Sequence, residues 1–128
     1  DLDVKMDFEG PKEVAAVLGS GAILVLDDQA DIVVLLRDIL RFFRHESCGQ
    51  CAPCRLGTAY LVEMMDRIAV GEGSAEDLVR LREVAAMMKE ASLCPLGQSP
   101  ILPIDTALDR FGDDFAERVG GGAPAGKR

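Results

Sequence analysis

A chain of 128 residues with 48% hydrophobic content can bury a core of its own, as one domain or one and a half. Its net charge of −8 excludes the basic footprint of a nucleic-acid binder, because phosphates would be repelled. No apolar run reaches the roughly eighteen residues of a membrane-spanning helix: the longest stretch, 14–26, is broken by Gly19, Ser20 and Gly21. No basic-then-apolar leader opens the chain. Reduced thiols in an intracellular, cytoplasm-facing setting follow as the expected context.

In chain order, Leu2, Val4, Met6 and Phe8 alternate with polar residues, which predicts a half-buried strand. Pro11 sits where a helix can begin, 13–18 fill a short one, and Gly19 ends it. Residues 22–26 read as a continuous apolar strand closed by Asp27-Asp28. The Gly19-Ser20-Gly21 run precedes this strand instead of following it, so no dinucleotide-binding fingerprint forms. Asp31 can cap a first long helix with Ile32, Leu35, Leu36, Ile39, Leu40 and Phe43 on one face, and His45 and Glu46 end it. A second helix is predicted to start around Cys54, after the turn at Pro53, and to bury Tyr60, Leu61, Met64, Met65 and Ile68. Gly71-Glu72-Gly73 breaks it. Ser74-x-x-Asp77 resembles a capping box and opens a third helix with Leu78, Leu81, Val84, Ala85 and Met88 inward. Ile104, Ala107, Leu108, Phe111 and Phe115 mark a fourth. Four amphipathic helices with short links predict a small bundle, and the Gly-rich stretch 120–128 has the composition of a disordered tail.

The chemistry-bearing residues are cysteines. Cys48-x2-Cys51-x2-Cys54 is followed by Cys94 within Ser92-Leu93-Cys94-Pro95-Leu96-Gly97, and together they account for all four cysteines of the chain. Three thiols at two-residue gaps can close around one face of a polynuclear metal centre, and a distant fourth can complete it. Thiolates are soft, anionic ligands suited to iron–sulfur clusters. A structural zinc site can also take four cysteines, though such sites more often draw on two separated pairs. Disulfides match less well, with three thiols crowded together in a chain that has an ample core. A thioredoxin-type pair lacks its βαβ setting. The predicted bundle accounts for the spacing: the triplet falls between the first and second helices and Cys94 between the third and fourth, at one end of an up-and-down arrangement.

Such an anionic centre calls for compensation. Backbone N–H groups of a helix beginning near Cys54 would supply it. Arg44 and Arg55 could add positive potential, or could be solvated or salt-bridged surface residues. His45 reads as a helix-end residue, with a ligand or proton-carrier role as the alternative. Met64-Met65 and Met87-Met88 lie on apolar helical stripes and read as core. Asp105, Asp109, Asp113 and Asp114 have no catalytic counterpart, and a single His supports no Ser/His/Asp grouping.

The run His45-Glu46-Ser47-Cys48-Gly49-Gln50-Cys51-Ala52-Pro53-Cys54-Arg55-x-Gly57, with Leu93-Cys94-Pro95-Leu96-Gly97 downstream, resembles the cluster-binding domain of the NADH-oxidising, flavin-bearing subunit of respiratory complex I. The same domain recurs in diaphorase subunits of NAD-linked hydrogenases and formate dehydrogenases. The resemblance runs from about Asp31 to about Phe115. It implies that Cys48, Cys51, Cys54 and Cys94 are the cofactor-binding and metal ligands of one [4Fe-4S] cluster, which takes single electrons from NADH-reduced FMN and passes them to clusters of neighbouring subunits. Gln50 and Ala52 stand where the family often has Lys and Thr, a departure that bears on the cluster's potential and not on its presence.

A Gly-rich nucleotide and flavin domain, which precedes the cluster domain in that family, has no counterpart here. FMN and NAD are therefore expected only in a missing portion or a partner, and the chain, which opens on Asp1, reads as the C-terminal portion of a longer polypeptide or a stand-alone remnant. The expected fold is mostly α: a four-helix bundle carrying the cluster over 29–118, a partial β-grasp segment (strand–helix–strand) over 1–28, and a disordered tail over 119–128. The expected function is that of an electron-transfer module of an NADH-dependent oxidoreductase, not catalytic alone. The alternative is a zinc- or cluster-stapled interaction domain without a redox role. Expected partners are a flavin/NADH-binding domain or subunit and a neighbouring iron–sulfur subunit, with no nucleic acid and no direct membrane insertion. The expected location is cytoplasmic, at most peripheral to a membrane complex.

Overall fold

A computed structural model of the chain describes residues 3–14, 16–19 and 21–120. It is mostly helical, as the sequence predicts. After a one-turn helix α1 (Gly10–Glu13) come three long helices, α2 (Ile32–Glu46), α3 (Ala52–Ala69) and α4 (Ala75–Ala91). The short α5 (Pro95–Gln98), α6 (Ile101–Arg110) and α7 (Gly112–Val119) close the bundle. Helix α3 packs against both α2 and α4, and α5, α6 and α7 lie across them.

The caps form where the sequence places them. The Asp31 carboxylate accepts the Val34 N–H at 3.1 Å, satisfying one of the orphan donors at the start of α2. Ser74 and Asp77 form a reciprocal capping box on α4, and Arg67 Nη2 of α3 donates to the same Asp77 at 2.6 Å. Burial alone would raise the Asp77 carboxyl, but hydrogen bonds from the Ser74 backbone and from Arg67 outweigh it and hold its pKa below the usual 3.8.

The core is built from Leu36 and Leu40 of α2, Leu61, Met65 and Ile68 of α3, Leu81 and Met88 of α4, Ile104 of α6 and Phe115 of α7. Three details depart from expectation. Val33 is buried in α2, while Leu35 and Ile39 are only half-buried, so the buried stripe runs through Val33, Leu36 and Leu40. Tyr60 is 58% exposed; its hydroxyl keeps it at the bundle's edge. The fourth helix is two helices, interrupted at Phe111, whose φ of −128° and ψ of 28° leave the helical region.

The predicted β-grasp segment does not appear among the described residues. No strand forms there, and a single helical turn, with Pro11 in it, replaces the helix predicted over 13–18. Residues 22–26 have no ladder partner, and Phe8 and Val25 are 79% and 86% exposed. A strand exists only through hydrogen bonds to another strand, and two short segments cannot make a stable sheet by themselves. One tie to the bundle is the hydrogen bond from Arg110 Nη2 to the Val14 carbonyl at 2.5 Å. Leu2, Ala15 and Ser20, named in these predictions or lying within their segments, and tail residues 121–128 lie outside the described residues.

A buried arginine organises the end of the bundle where α2 begins. Arg118 of α7 donates through Nη1 to the Ala69 carbonyl at the end of α3, at 2.5 Å, and through Nη2 to the Asp31 carboxylate. It caps one helix's C-terminus and secures the N-cap of another, which places the start of α2 beside the end of α3. The 47–51 loop and the start of α3 therefore stand at the other end.

Candidate metal centre

At that other end, α2 stops at Glu46 and Ser47 turns the backbone into extended geometry. Gly49 follows with φ of +74°, a left-handed conformation that glycine adopts without the Cβ penalty. Arg55 Nη1 donates to the Gly49 carbonyl at 2.9 Å and braces this turn. Cys51 is the extended residue ahead of α3, and Pro53 fills the helix's first turn, where no N–H is needed. Helix α3 thus begins at Ala52, two residues earlier than predicted, and Cys54 lies buried in its first turn.

The second loop is fitted to the first. Helix α4 ends at Ala91, Ser92 is buried and Leu93 is 77% exposed. Cys94 is the extended residue before α5, with Pro95 at its first position. The short helix is buried at Gly97, whose backbone lies so close to the other loop that a Cβ there would stand 2.5 Å from Ser92 Oγ and 3.0 Å from Cys54 Cβ. Gln98 Nε2 donates to the Ser92 carbonyl at 2.9 Å and holds the loop in place.

The two loops therefore meet. The Cys51 sulfur faces the backbone N–H of Leu93, from the second loop, and that of Cys54, from its own helix; both pull its pKa below the usual thiol value of 9.0. No full hydrogen bond closes at the helix cap itself, so this is attraction by proximity. It favours thiolate, the form that binds metal. Ser47 Oγ lies 3.3 Å from Cys54 Sγ. Ser92 Oγ, near Cys51, is buried without a full hydrogen-bond partner among the described residues, and its approach to that sulfur is the smallest contribution to the lowered pKa.

All four cysteines are free thiols, with Cys54 buried, Cys51 half-buried and Cys48 and Cys94 exposed. Among the described residues, no three His, Cys, Asp or Glu side chains converge closely enough to hold a single metal ion. The residues present fit an iron–sulfur cluster: soft thiol donors, backbone N–H groups turned toward a sulfur, a buried hydroxyl lacking a partner, and a glycine where bulk would intrude.

The other candidates fall outside this arrangement. The His45 side chain is 85% exposed and stands 4.0 Å from Glu46. Arg44 is exposed, whereas Arg55 is tied to the loop. Met64, Met65 and Met88 are core, but Met87 is 46% exposed. Asp105 and Asp109 pair with Arg82 at 2.9 and 2.5 Å. Sequence reasoning missed Ser47, Ser92 and Gly97 as parts of the site. The available signal was a small hydroxyl residue one or two positions ahead of a cysteine in each loop.

Comparison with known proteins agrees with the geometry. The family described as the NADH-ubiquinone oxidoreductase-F iron-sulfur binding region matches residues 34–118. The NADP-reducing hydrogenase subunit HndC of Solidesulfovibrio fructosivorans is 37% identical over 93% of this chain and 24% of its own length. The F subunit of the NADH-quinone oxidoreductase of Rhodobacter capsulatus is 32% identical over 91% of this chain and 27% of its own. A crystal structure of an NAD+-reducing [NiFe]-hydrogenase in its H2-reduced state superposes with a TM-score of 0.74 and 33% identity, over 85% of this chain and 19% of that one. The chain spans about a quarter of the length of the curated relatives it matches. None of its helices, among the described residues, is long and apolar enough to cross a membrane. This chain belongs to the family of NADH-ubiquinone oxidoreductase-F iron-sulfur binding regions, whose cofactor is a [4Fe-4S] cluster.

Proposed function

We propose that Cys48, Cys51, Cys54 and Cys94 together hold one [4Fe-4S] cluster, and that the chain serves as a one-electron relay in an NADH-dependent oxidoreductase of the complex I, hydrogenase-diaphorase or formate dehydrogenase type. Electrons arrive from a reduced flavin and leave to an iron–sulfur cluster of a neighbouring protein chain. FMN and NAD belong to a domain or subunit beyond these 128 residues, at the cytoplasmic face of the cell or on the periphery of a membrane complex. Residues 29–118 act as the cluster domain and 1–28 as a segment that joins it to that neighbour.

The single observation that carries this reading is the seating of α5 on the first turn of α3 through Gly97. It sets the loop of Cys94 beside the loop of the cysteine triplet. When bound, the cluster supplies a reversible one-electron couple. The chain's residues do the rest. The thiolates carry the charge, the Leu93 and Cys54 N–H groups offset it at Cys51, and Arg55 braces the loop between Cys48 and Cys51.

The test is anaerobic purification of the whole chain with assays for iron, sulfide and zinc and an EPR spectrum before and after reduction. About four irons and four sulfides per chain, with a signal that appears on reduction, are expected of the relay. One zinc with no sulfide and no signal would replace it with a structural staple.

A further inference from the structure

Two serines stand against the cysteine-bearing turn, one from each loop. Ser47 Oγ is 3.3 Å from Cys54 Sγ, where either atom can donate in the thiol form. A metal-bound sulfur carries no proton, so in the loaded protein Ser47 must be the donor. The Gly49 N–H points at the same hydroxyl oxygen from 3.3 Å. That contact occupies a lone pair and leaves the hydroxyl proton for the sulfur, a short chain of donors that polarise one another.

Ser92 is the second. Its side chain is buried and its hydroxyl has no hydrogen-bond partner among the described residues, an arrangement proteins rarely leave standing without a reason. Ser92 Oγ and Cys54 Cβ both stand within 3.0 Å of the point a Gly97 Cβ would take, so this hydroxyl lies against the cysteine-bearing turn of α3. Gly97 supplies the room: any side chain at that position would meet Ser92 Oγ at 2.5 Å and Ser92 Cβ at 2.6 Å. The Ser92 backbone is fixed from outside by Gln98 at 2.9 Å. The glycine and glutamine that seat the Cys94 loop therefore also hold this hydroxyl against the cysteine-bearing turn.

We infer that Ser47 and Ser92 are positioning residues that set the redox potential of the site, Ser47 by donating a hydrogen bond to the sulfur of Cys54 and Ser92 by bringing an unpartnered hydroxyl against the same cysteine-bearing turn. The inference rests on the cluster reading above. Adding one electron from a chemical reductant such as dithionite increases negative charge on the thiolates. A donor on a thiolate favours the reduced form more than the oxidised one and raises the potential. The surroundings make this contribution matter, because Gln50 and Ala52 bring no positive charge and no hydroxyl to the triplet.

The experiment uses the full chain, reconstituted anaerobically with iron and sulfide, as wild type, Ser47→Ala, Ser92→Ala, the double variant of these two, Ser47→Thr and Ser92→Thr. Iron and sulfide are assayed first, and a dithionite titration is then followed by EPR. At the potential that half-reduces wild type, each alanine variant is expected to show a reduced-to-oxidised ratio about threefold lower. The double variant is expected to approach tenfold, which for one electron is about 59 mV. The threonine variants keep the hydroxyl and are expected to titrate like wild type. Alanine variants with full iron and sulfide and an unchanged midpoint would overturn the inference while leaving the relay reading intact. A wild-type chain that takes up no iron and sulfide overturns the relay reading itself. If Ser92→Ala loses its cluster, Ser47→Ala decides by the same criterion.

Discussion

Replacing Gly97 with alanine tests the contact on which the site depends. The perturbation is one methyl group, and its collision partners are known: Ser92 Oγ at 2.5 Å, Ser92 Cβ at 2.6 Å and Cys54 Cβ at 3.0 Å. Two of these are Cβ atoms, fixed to their backbones, so rotating the Ser92 hydroxyl away does not relieve the overlap. Inserting a methyl into a packed site of this kind costs about 1–3 kcal/mol. For a bundle of this size that is a fall in melting temperature of roughly 5–15 °C. Gly112→Ala is the control, since its Cβ meets nothing within 4 Å and alanine is the better helix former by up to about 1 kcal/mol. Thermal and urea denaturation of the two variants, with iron and sulfide assayed after reconstitution, provides the comparison. Gly97→Ala is expected to be less stable than wild type and to hold less cluster, and Gly112→Ala to be neutral or slightly stabilised. A Gly97→Ala protein indistinguishable from the control in stability and cluster content would show that α5 need not seat closely on α3, and the geometric argument for the site would fail.

Other substitutions probe separate parts of the fold. Arg118→Met leaves the Ala69 carbonyl and Asp31 without their partner. It should cost about 3 kcal/mol, the low end for breaking a buried pair because Asp31 is partly wet; a loss under about 1 kcal/mol by urea denaturation would contradict the role assigned to it. Asp77 has a lowered folded-state pKa, so its contribution is present above the unfolded value of about 3.8 and is lost as pH falls through the folded one. The stability gap between wild type and Asp77→Asn should therefore be full at pH 6 and shrink below about pH 4. A gap that stays constant to pH 2 rules out the linkage. Gly49→Ala forces a side chain into φ of +74° at a cost of about 1–2 kcal/mol. Its cost should appear as reduced cluster retention with little change in helix content by circular dichroism.

The helical part was legible because its signals are local. Asp31, Ser74 and Asp77 are capping residues wherever a helix follows them, and each is found in that role. The cysteine spacing was legible for a different reason: helix count fixes which loops share an end. What failed depended on surroundings that a linear reading lacks. The alternation of Val4, Met6 and Phe8 is a strand pattern only if another strand lies alongside. Tyr60 has an apolar ring at a core-spaced position, yet it is left exposed at the bundle's edge. Phe111 carried the helical period but sits where the chain turns, with Gly112 directly after it. Gly97 gave no signal by itself, because its importance lies in an approach between residues from two loops.

The buried Arg118 has a consequence for how a cofactor could be acquired. Bringing the ends of the 39-residue stretch between Cys54 and Cys94 together from an open chain costs about 3 kcal/mol in closure entropy before any ligand is bound. Here α3 and α4 make that excursion as packed helices, and Arg118 latches the opposite end by tying the termini of α2 and α3 to α7. Helix packing and this latch therefore meet the entropic cost of the closure independently of any metal contact. A zinc finger relies on its metal to bring distant ligands together; here a packed helical core and one arginine do so, and two short loops are what the ligand contacts.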